Sequence, residues 1–252
     1  SIVEANGVID LVWNGPGGTE REVLDQGGNV LAARGASHVF NVSVGGSTVI
    51  QGFNPGHDQL FVANPDGTAA GGAHSTLTFD ERTHTLTWDQ DSEGPSPAHQ
   101  FAVLDVGRIG VSNLADNFRP AVLKDIAADG SSTITWFDTD HSQSWDTLVA
   151  TEDAAGNVLT YASNSIGGTS EVFHFDVDNT QAYQRYVDDF DVTGHVVERA
   201  VLYDDGSSWT ARYLYSAGQV AEYELINYDA AGHMLAHGFY SPDGVLLDSI
   251  PV

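Results

Sequence analysis

The second half of the chain repeats itself every 38 residues. Glycines recur at this interval, at Gly130, Gly168, Gly206 and Gly244 and again at Gly156, Gly194 and Gly232. Three units, 131–168, 169–206 and 207–244, follow one another without an insertion. A fixed period of this length is typical of an array of equivalent small structural units.

Each unit contains three short segments in which apolar and polar residues alternate, a pattern that gives a β-strand one apolar face. Equivalent positions carry similar residues: Phe137, Phe175 and Tyr213 in the first segment, and Val149, Val187 and Leu225 in the second. Sustained helical periodicity is missing, and the most helix-like segment is 111–126. We therefore predict an all-β protein in which residues 131–244 form nine antiparallel strands, most simply as a meander.

The chain is strongly acidic, with nine Lys and Arg against 35 Asp and Glu and a formal net charge of −26. Such a surface repels nucleic acid and attracts cations such as calcium. Cysteine is absent, which excludes disulfides and thiolate metal ligands. No apolar run is long enough to span a membrane, so we expect no membrane insertion.

The segment DQDSEG, 89–94, is the first candidate calcium site. Asp89, Asp91 and Glu93 are followed by Gly94, which matches the start of a calcium-binding loop. The twelfth position is Gln100, which cannot provide the bidentate carboxylate of a full loop, so an ion would need other ligands. The alternative is an acidic hairpin tip.

The repeat supplies a second candidate, in DTDHS (138–142) and DVDNT (176–180). Asp138 and Asp140 in the first, and Asp176 and Asp178 in the second, could each present two carboxylates to one hard cation. Solvated turn carboxylates are the alternative.

A third acidic motif, DAAGH at 229–233, recurs as DAAGN and DVTGH. The last position is Asn157, His195 or His233, and asparagine is a poor transition-metal ligand. Aspartate followed by two residues and glycine suits a short hairpin, so we predict a repeated turn.

Aromatic residues could form a platform for sugar rings or for another chain. The candidates for such ligand binding are Trp136, Trp145, Tyr183, Trp209 and Tyr215. The alternative is that they pack in the core or as cross-strand pairs. Catalytic signatures such as GxSxG, HExxH and the phosphate-binding loop are absent from the sequence, so we predict no catalytic residues.

The segment YDAAGH, 228–233, resembles the YD repeats of bacterial surface and toxin-shell proteins. This resemblance covers roughly the last half of the chain. It implies a scaffold of β-strands and does not imply a particular ligand or reaction.

The first half resembles the C-terminal region of RTX-type exoproteins, within 49–118. The matching residues are Gly52, Phe53, Pro55, Asp58 and Leu60, then Leu77, Asp80, Thr83, Leu86, Trp88, Asp89 and Asp91, then Phe101, Ala102 and Leu104. The resemblance implies a calcium-dependent β-roll or its β-sandwich cap, exported from Gram-negative cells by type I secretion. We accordingly expect a cap-like β-domain at 1–120 and the repeat meander at 121–252.

Together these features favour a non-enzymatic, secreted or cell-surface protein of a Gram-negative bacterium. Its role would be structural or adhesive, with calcium supporting the fold or the assembly of copies through sheet edges. The alternative is a carbohydrate-binding module of a larger secreted enzyme, with a polysaccharide as partner.

Overall fold

The computed structural model describes residues 2–5, 8–15, 18–25, 30–32, 38–44, 48–51, 53–64, 68–71, 74–90, 98–104, 108–115, 118–216 and 219–251. Within these ranges the protein is all-β, as predicted, and the one helical element is a 3₁₀ turn at Val111–Asn113. By compactness the chain divides into unit 1 (Ser1–Ser142 with Ala154–Gly156) and unit 2 (Gln143–Asp153 with Asn157–Val252). The division into domains at residue 120 stays a prediction.

Twelve strands are described in unit 1. They are β1 Ile2–Ala5, β2 Val8–Gly15, β3 Gly18–Asp25, β4 Val30–Ala32, β5 His38–Ser43, β6 Thr48–Gln51, β7 Gln59–Ala63, β8 Thr76–Asp80, β9 Thr85–Asp89, β10 His99–Leu104, β11 Val122–Ile126 and β12 Ser132–Phe137. One sheet has the order β1-β2-β3-β5-β7, and the other β12-β11-β8-β9-β10-β6-β4. Both sheets mix antiparallel hairpins with parallel pairs such as β5 with β7 and β8 with β11.

The hydrophobic core lies in unit 1. Its largest fully buried side chains are Trp88, Phe40, Phe79, Phe118, Ile50, Leu60, Leu77, Leu86 and Leu114. In β8 and β9 every second residue is buried, because successive side chains of a strand point to opposite faces. Several residues of the RTX-like motif, including Phe53, Leu60, Leu77 and Trp88, are therefore core residues.

Asp58, another residue of that motif, is buried and organises the loop before β7 in unit 1. Its Oδ1 accepts hydrogen bonds from the backbone N–H and from Nδ1 of His38, both at 2.9 Å. Its Oδ2 accepts one from the N–H of Asn54 at 2.8 Å. Asn113 Nδ2 donates to the carbonyl oxygens of Pro55 and Asp58, at 2.8 and 3.1 Å. The motif aspartate thus holds the loop before β7 onto the start of β5.

In the segment 111–126, which the sequence marked as the most helix-like, only the 3₁₀ turn is helical. Val122–Ile126 instead forms β11, which pairs with β12 on one side and with β8 on the other. Pairing on both edges overrides a weak local helical preference.

Unit 2 is one antiparallel sheet of nine strands joined in chain order. They are β13 Trp145–Glu152, β14 Val158–Ser165, β15 Ser170–Phe175, β16 Tyr183–Phe190, β17 Val196–Tyr203, β18 Ser208–Ser216, β19 Gln219–Tyr228, β20 Met234–Tyr240 and β21 Leu246–Ser249. The meander predicted from the repeat is confirmed for these strands. Residues 131–244 contain β12 to β20, which are the nine predicted strands.

Equivalent residues of successive repeats point to opposite faces of this sheet. Val187 lies opposite Ala200, Ala200 opposite Thr210, and Thr210 opposite Ile226, and residues that pair directly share a face. Leu225 is adjacent to Ile226 in β19 and therefore points to the other face. Val187 and Leu225 occupy the same position of the repeat, so the second and third repeats present their equivalent side chains on opposite sides.

The odd number of strands in a repeat causes this exchange. Three antiparallel strands reverse the strand direction from one repeat to the next, while the sheet keeps growing in one direction. Successive repeats are therefore related by a 180° rotation about the direction in which the sheet grows, combined with a shift along it. This rotation reverses the strands and also exchanges the two faces of the sheet. We call the two sides the Asp188 face and the Val187 face.

Few side chains in unit 2 are fully buried. Among its described apolar residues only Ala150, Val201 and Ala211 are buried, and its described strands all belong to the single sheet. Backbone ladders and cross-strand side-chain pairs, more than a packed core, therefore hold this unit together.

Candidate functional site

The two acidic loops predicted as cation ligands share a backbone geometry. The Asp138 loop (138–142) follows β12 in unit 1, and the Asp176 loop (176–180) follows β15 in unit 2. The fourth residue of each has a positive φ, +55° at His141 and +53° at Asn179. Histidine and asparagine tolerate this left-handed conformation better than most residues, which explains their place in the loops.

Both carboxylates of the Asp176 loop accept hydrogen bonds from loop atoms. Asp176 Oδ1 and Oδ2 accept from the N–H groups of Thr180 and Gln181, at 3.2 and 2.9 Å. The Thr180 hydroxyl donates to Asp178 Oδ1 at 2.9 Å. That hydroxyl, and then the Asp176 carboxyl, hold the pKa of Asp178 below its usual range. Thr180 therefore joins the two carboxyl groups, since its N–H donates to Asp176 and its hydroxyl donates to Asp178.

The Asp138 loop repeats this arrangement. The N–H of Ser142 is shared between Asp138 Oδ1 and Asp140 Oδ1, at 3.1 Å from each. The Ser142 side chain, and then the neighbouring Asp138 carboxyl group, hold the pKa of Asp140 below its usual range. Asp138 is buried whereas Asp140 is exposed. This loop thus also brings two carboxyl groups together, one of them facing solvent.

The DQDSEG segment is described only in part. Asp89 ends β9 and is half-buried, and Gln100 is exposed in β10. Asp91 and Glu93 lie outside the described residues. Whether this segment forms a cation loop stays a prediction.

The repeated DAAGH motif is a turn, as predicted. Asp229 Oδ1 accepts from the N–H groups of Ala231 and His233, at 2.9 and 2.8 Å, and Gly232 has a φ of +84°. In the DVTGH copy, hydrogen bonds from Thr193 and from the N–H of His195 lower the pKa of Asp191 to about 2. The aspartates of this motif thus accept the backbone hydrogen bonds that close the hairpin turns.

Two of the predicted ligand-binding aromatics belong to one cluster on the Asp188 face. The side chains of Tyr183 and Tyr186 meet edge to face with ring centroids 5.4 Å apart. Tyr203 lies opposite Tyr183, and its hydroxyl accepts a hydrogen bond from Trp209 Nε1 at 3.1 Å. His174 stacks on Tyr186 with centroids 4.2 Å apart. We call these five residues the aromatic cluster; all five are half-buried.

The other predicted aromatics lie elsewhere. Trp136 is in β12 of unit 1 and Trp145 begins β13, both half-buried. Tyr215 is stacked on His195, with centroids 4.6 Å apart, and donates its hydroxyl to the carbonyl of Val196 at 2.8 Å. Tyr215 therefore packs at the start of β17 and does not join the cluster.

Two charged groupings were missed by sequence reasoning. On the Asp188 face, Arg199 forms an ion pair with Asp188 and lies 5.2 Å from the ring centroid of Tyr186. On the Val187 face, the three carboxylates of Glu171, Asp189 and Glu198 stand directly opposite one another on β15, β16 and β17. Only the strand register reveals either grouping.

Burial and like charges perturb that carboxylate row. Desolvation first, and then the charge of Asp189, raise the pKa of Glu171. Desolvation, and then the charges of Glu198 and Asp188, raise the pKa of Asp189. The row is therefore a region of electrostatic repulsion at neutral pH.

No protein-family model matches this chain, and no curated protein sequence matches it significantly. In the described part of the chain, no three His, Asp or Glu side chains converge as a complete metal-binding group. Among the described residues, no helix is long and apolar enough to cross a membrane.

Proposed function

We propose that this chain is a non-enzymatic, secreted or cell-surface protein of a Gram-negative bacterium with a structural or adhesive role. In this proposal calcium binds the Asp138 loop and the Asp176 loop and stabilises the repeat sheet. The observation that carries it is that one residue joins two carboxyl groups in each loop, Ser142 for Asp138 and Asp140 and Thr180 for Asp176 and Asp178, on the same loop geometry 38 residues apart.

Electrostatics supports the calcium part of the proposal. A chain with a net charge of −26 repels itself in the compact state, and bound divalent cations reduce that repulsion. Calcium takes six to eight oxygen ligands, and two carboxylates supplemented by water and backbone carbonyls can supply them. In each loop the two carboxylates are only two residues apart in the sequence, so calcium binding does not require a distant segment to become ordered.

The proposed location and role rest on three features. The RTX-type resemblance implies calcium binding and type I secretion, and a cysteine-free acidic chain suits an exported protein. The YD-like repeats imply a scaffold. The meander of unit 2 supports this role, because its strands form one extended sheet in which no other described strand pairs with the outer edge of β21.

Thermal unfolding in calcium chloride and in EDTA tests this function. Calcium is expected to raise Tm, since a ligand that binds only the folded state stabilises it. Replacing both Asp176 and Asp178 with Asn should reduce this rise in Tm. Each Asn keeps a side-chain oxygen that can accept the hydrogen bonds of the loop. Asp229→Asn, the same exchange at a turn with a single carboxylate, should leave the shift unchanged. An equal Tm with calcium and with EDTA would refute the calcium part.

A carbohydrate-binding role is the second candidate, and the aromatic cluster favours it. Half-exposed rings with polar tips are a common surface for sugar rings, and Tyr183, Tyr203 and Trp209 lie together. Probing a glycan array would test this role. Binding that is abolished by Trp209→Ala and kept by Trp145→Ala would support it over the scaffold, whereas an array without a ligand would remove it.

A further inference from the structure

The turn between β20 and β21 differs from two equivalent turns of the repeat in what holds its aspartate. An Asp-Gly pair occupies the same position in the three turns, at 129–130, 205–206 and 243–244. In each turn the glycine N–H donates to the carbonyl oxygen three residues earlier, at 2.9 to 3.0 Å. Each glycine has a positive φ, between +83° and +88°. The backbone of the three turns is therefore alike, and the difference lies at the aspartate side chain.

A serine directly after the glycine holds the carboxylate in two of these turns. Asp129 Oδ1 accepts hydrogen bonds from the N–H and the hydroxyl of Ser131, at 2.9 and 2.6 Å. Asp205 Oδ1 accepts from the same two groups of Ser207, at 2.8 and 2.6 Å. The serine hydroxyl, and then the serine N–H, hold the pKa of both aspartates below its usual range. These two carboxyl groups are thus kept ionised and bound to the residue beyond the glycine.

Val245 takes the place of this serine in the third turn. Valine has no hydroxyl to offer, and its N–H donates to the hydroxyl oxygen of Ser241 at 3.1 Å. The group that donates to Asp243 Oδ1 is the Ser241 hydroxyl, at 2.5 Å, and the carbonyl oxygen of Val245 lies 3.3 Å from the same hydroxyl. One proton is therefore shared between two acceptors at Asp243, whereas each of the other two aspartates receives two protons of its own.

We propose that Asp243 is a modification site, at which the folded chain converts aspartate into isoaspartate. The nitrogen of Gly244 attacks Cγ of the protonated carboxyl group. An N–Cγ bond forms, the Cγ–OH bond breaks, and one water leaves with the hydroxyl and the amide hydrogen. Water then opens the resulting succinimide at the main-chain carbonyl carbon of Asp243, while Cγ stays bonded to the glycine nitrogen. The composition of the chain is unchanged, and its backbone now runs through the former side chain.

The serine of the other two turns opposes this reaction. Glycine leaves the attacking nitrogen unhindered in all three turns, because it has no Cβ. The carboxyl group must be protonated and free to turn towards that nitrogen, since a carboxylate has no group that can leave as water. Ser131 and Ser207 oppose both requirements, because a hydrogen bond to the charged form of an acid disfavours its protonation. One hydrogen bond is worth a factor of about five, so Asp243 should react about five-fold faster than Asp129 or Asp205.

Isoaspartate formation at this position loosens β21. Two backbone hydrogen bonds of 2.9 Å close the turn, from the Gly244 N–H to the Ser241 carbonyl and from the Ser241 N–H to the Val245 carbonyl. The methylene added to the backbone lengthens the chain between these groups, so the two bonds cannot both keep their geometry. The pairing of β21 with β20 starts directly after the turn, with Leu246 opposite Tyr240. Amide hydrogen exchange in 246–249 should therefore be faster in the modified chain.

Peptide mapping of the folded full chain, after several weeks at about pH 5, tests the proposal, because a fraction of aspartates is protonated at that pH. Electron-transfer fragmentation distinguishes isoaspartate from aspartate at each of the three Asp-Gly pairs. About five times as much isoaspartate is expected at Asp243 as at Asp129 or Asp205. The same chain in urea is the control, since the three pairs should react at similar rates once their turns are unfolded.

Two reciprocal substitutions test whether the missing serine is responsible. Val245→Ser should slow the reaction at Asp243 to the rate at Asp205, and Ser207→Val should speed the reaction at Asp205 about five-fold. Equal isoaspartate at the three aspartates of the folded chain would overturn the proposal, as would none at any of them when the urea sample forms it. A Val245→Ser chain that reacts at the wild-type rate would also overturn it. Circular dichroism establishes that each variant is folded, and Val245→Thr, which keeps the branching of valine, decides the matter if Val245→Ser unfolds.

Discussion

The guanidinium of Arg199 binds both carboxylate oxygens of Asp188 across neighbouring strands, with Nε 2.5 Å from Oδ1 and Nη2 2.8 Å from Oδ2. The carboxylate is buried, so this pair is expected to stabilise unit 2 more than an exposed one does. We predict that Asp188→Ala lowers the free energy of unfolding by about 2 kcal/mol, because it leaves the cation without its partner. Urea unfolding measures the change.

The control for this prediction is the exposed pair between Arg212 and Glu198, at 2.7 Å on the other face. Glu198→Ala is expected to cost less than about 1 kcal/mol, since solvent screens the pair and the substitution also relieves the repulsion between Glu198 and Asp189. Equal losses from the two substitutions would contradict a special role for Asp188.

Gly238 holds β21 in place by leaving room for Leu246. A methyl group at Gly238 would lie 2.8 Å from Leu246 Cδ1, 3.1 Å from Tyr240 Cε2 and 3.3 Å from the Asp248 carbonyl oxygen. We predict that Gly238→Ala costs about 1 kcal/mol and speeds amide hydrogen exchange in 246–249. Gly110→Ala is the control, because a methyl group at Gly110 would have no atom within 4 Å apart from its chain neighbours; amide exchange in β21 should stay unchanged.

The carboxylate row on the Val187 face makes stability depend on pH. Since the pKa values of Glu171 and Asp189 are raised by folding, the folded state binds protons more tightly than the unfolded state does. Their contribution is therefore most favourable in acid and is lost as the pH rises through the raised pKa values. We predict that Asp189→Asn raises stability at pH 7 by about 0.5 kcal/mol and that this gain shrinks near pH 4.

The turn aspartate Asp191 has the opposite pH dependence. Its pKa is lowered to about 2 by folding, so its contribution is present at neutral pH and declines as the pH falls from about 4 towards 2. Asp191→Asn should accordingly lower Tm at pH 7 and have less effect near pH 2. If Asp189→Asn and Asp191→Asn shifted Tm in the same direction at pH 7, the assigned electrostatics would be wrong.

Asp58 is predicted to be the most sensitive acidic residue of unit 1. Asp58→Ala leaves the N–H groups of His38 and Asn54 and the ring of the buried His38 without their acceptor. The expected loss is about 3 kcal/mol, seen as a lower urea midpoint with an unchanged slope. His57→Ala, at the exposed neighbouring position, should change the midpoint little.

The repeat made much of unit 2 predictable from its sequence. Turn glycines such as Gly194 and Gly232 have positive φ values that glycine adopts without strain, and the alternation between turns fixes the strands. The sequence did not predict that Val187 and Leu225 point to opposite faces. Equivalent positions of the repeat have similar residues whether their strands run in the same or in opposite directions. The partner of Asp188 was missed for a related reason: a bulge beside Phe190 shifts the register.

Unit 1 was less predictable because its sheets contain parallel pairs between segments distant in sequence. The alternation at Leu77 and Trp88 did indicate buried strands, and both are in the core. The role of Asp58 depends on His38, 20 residues away, and no local pattern links the two.

Calorimetric titration with calcium tests the central claim, that the paired carboxylates bind the ion. We predict saturable binding of one ion at the Asp176 loop, lost when Asp176 and Asp178 are both replaced by Asn and kept in Asp229→Asn. A wild-type titration without saturable heat at any temperature, or one unchanged by the double replacement, would contradict the claim.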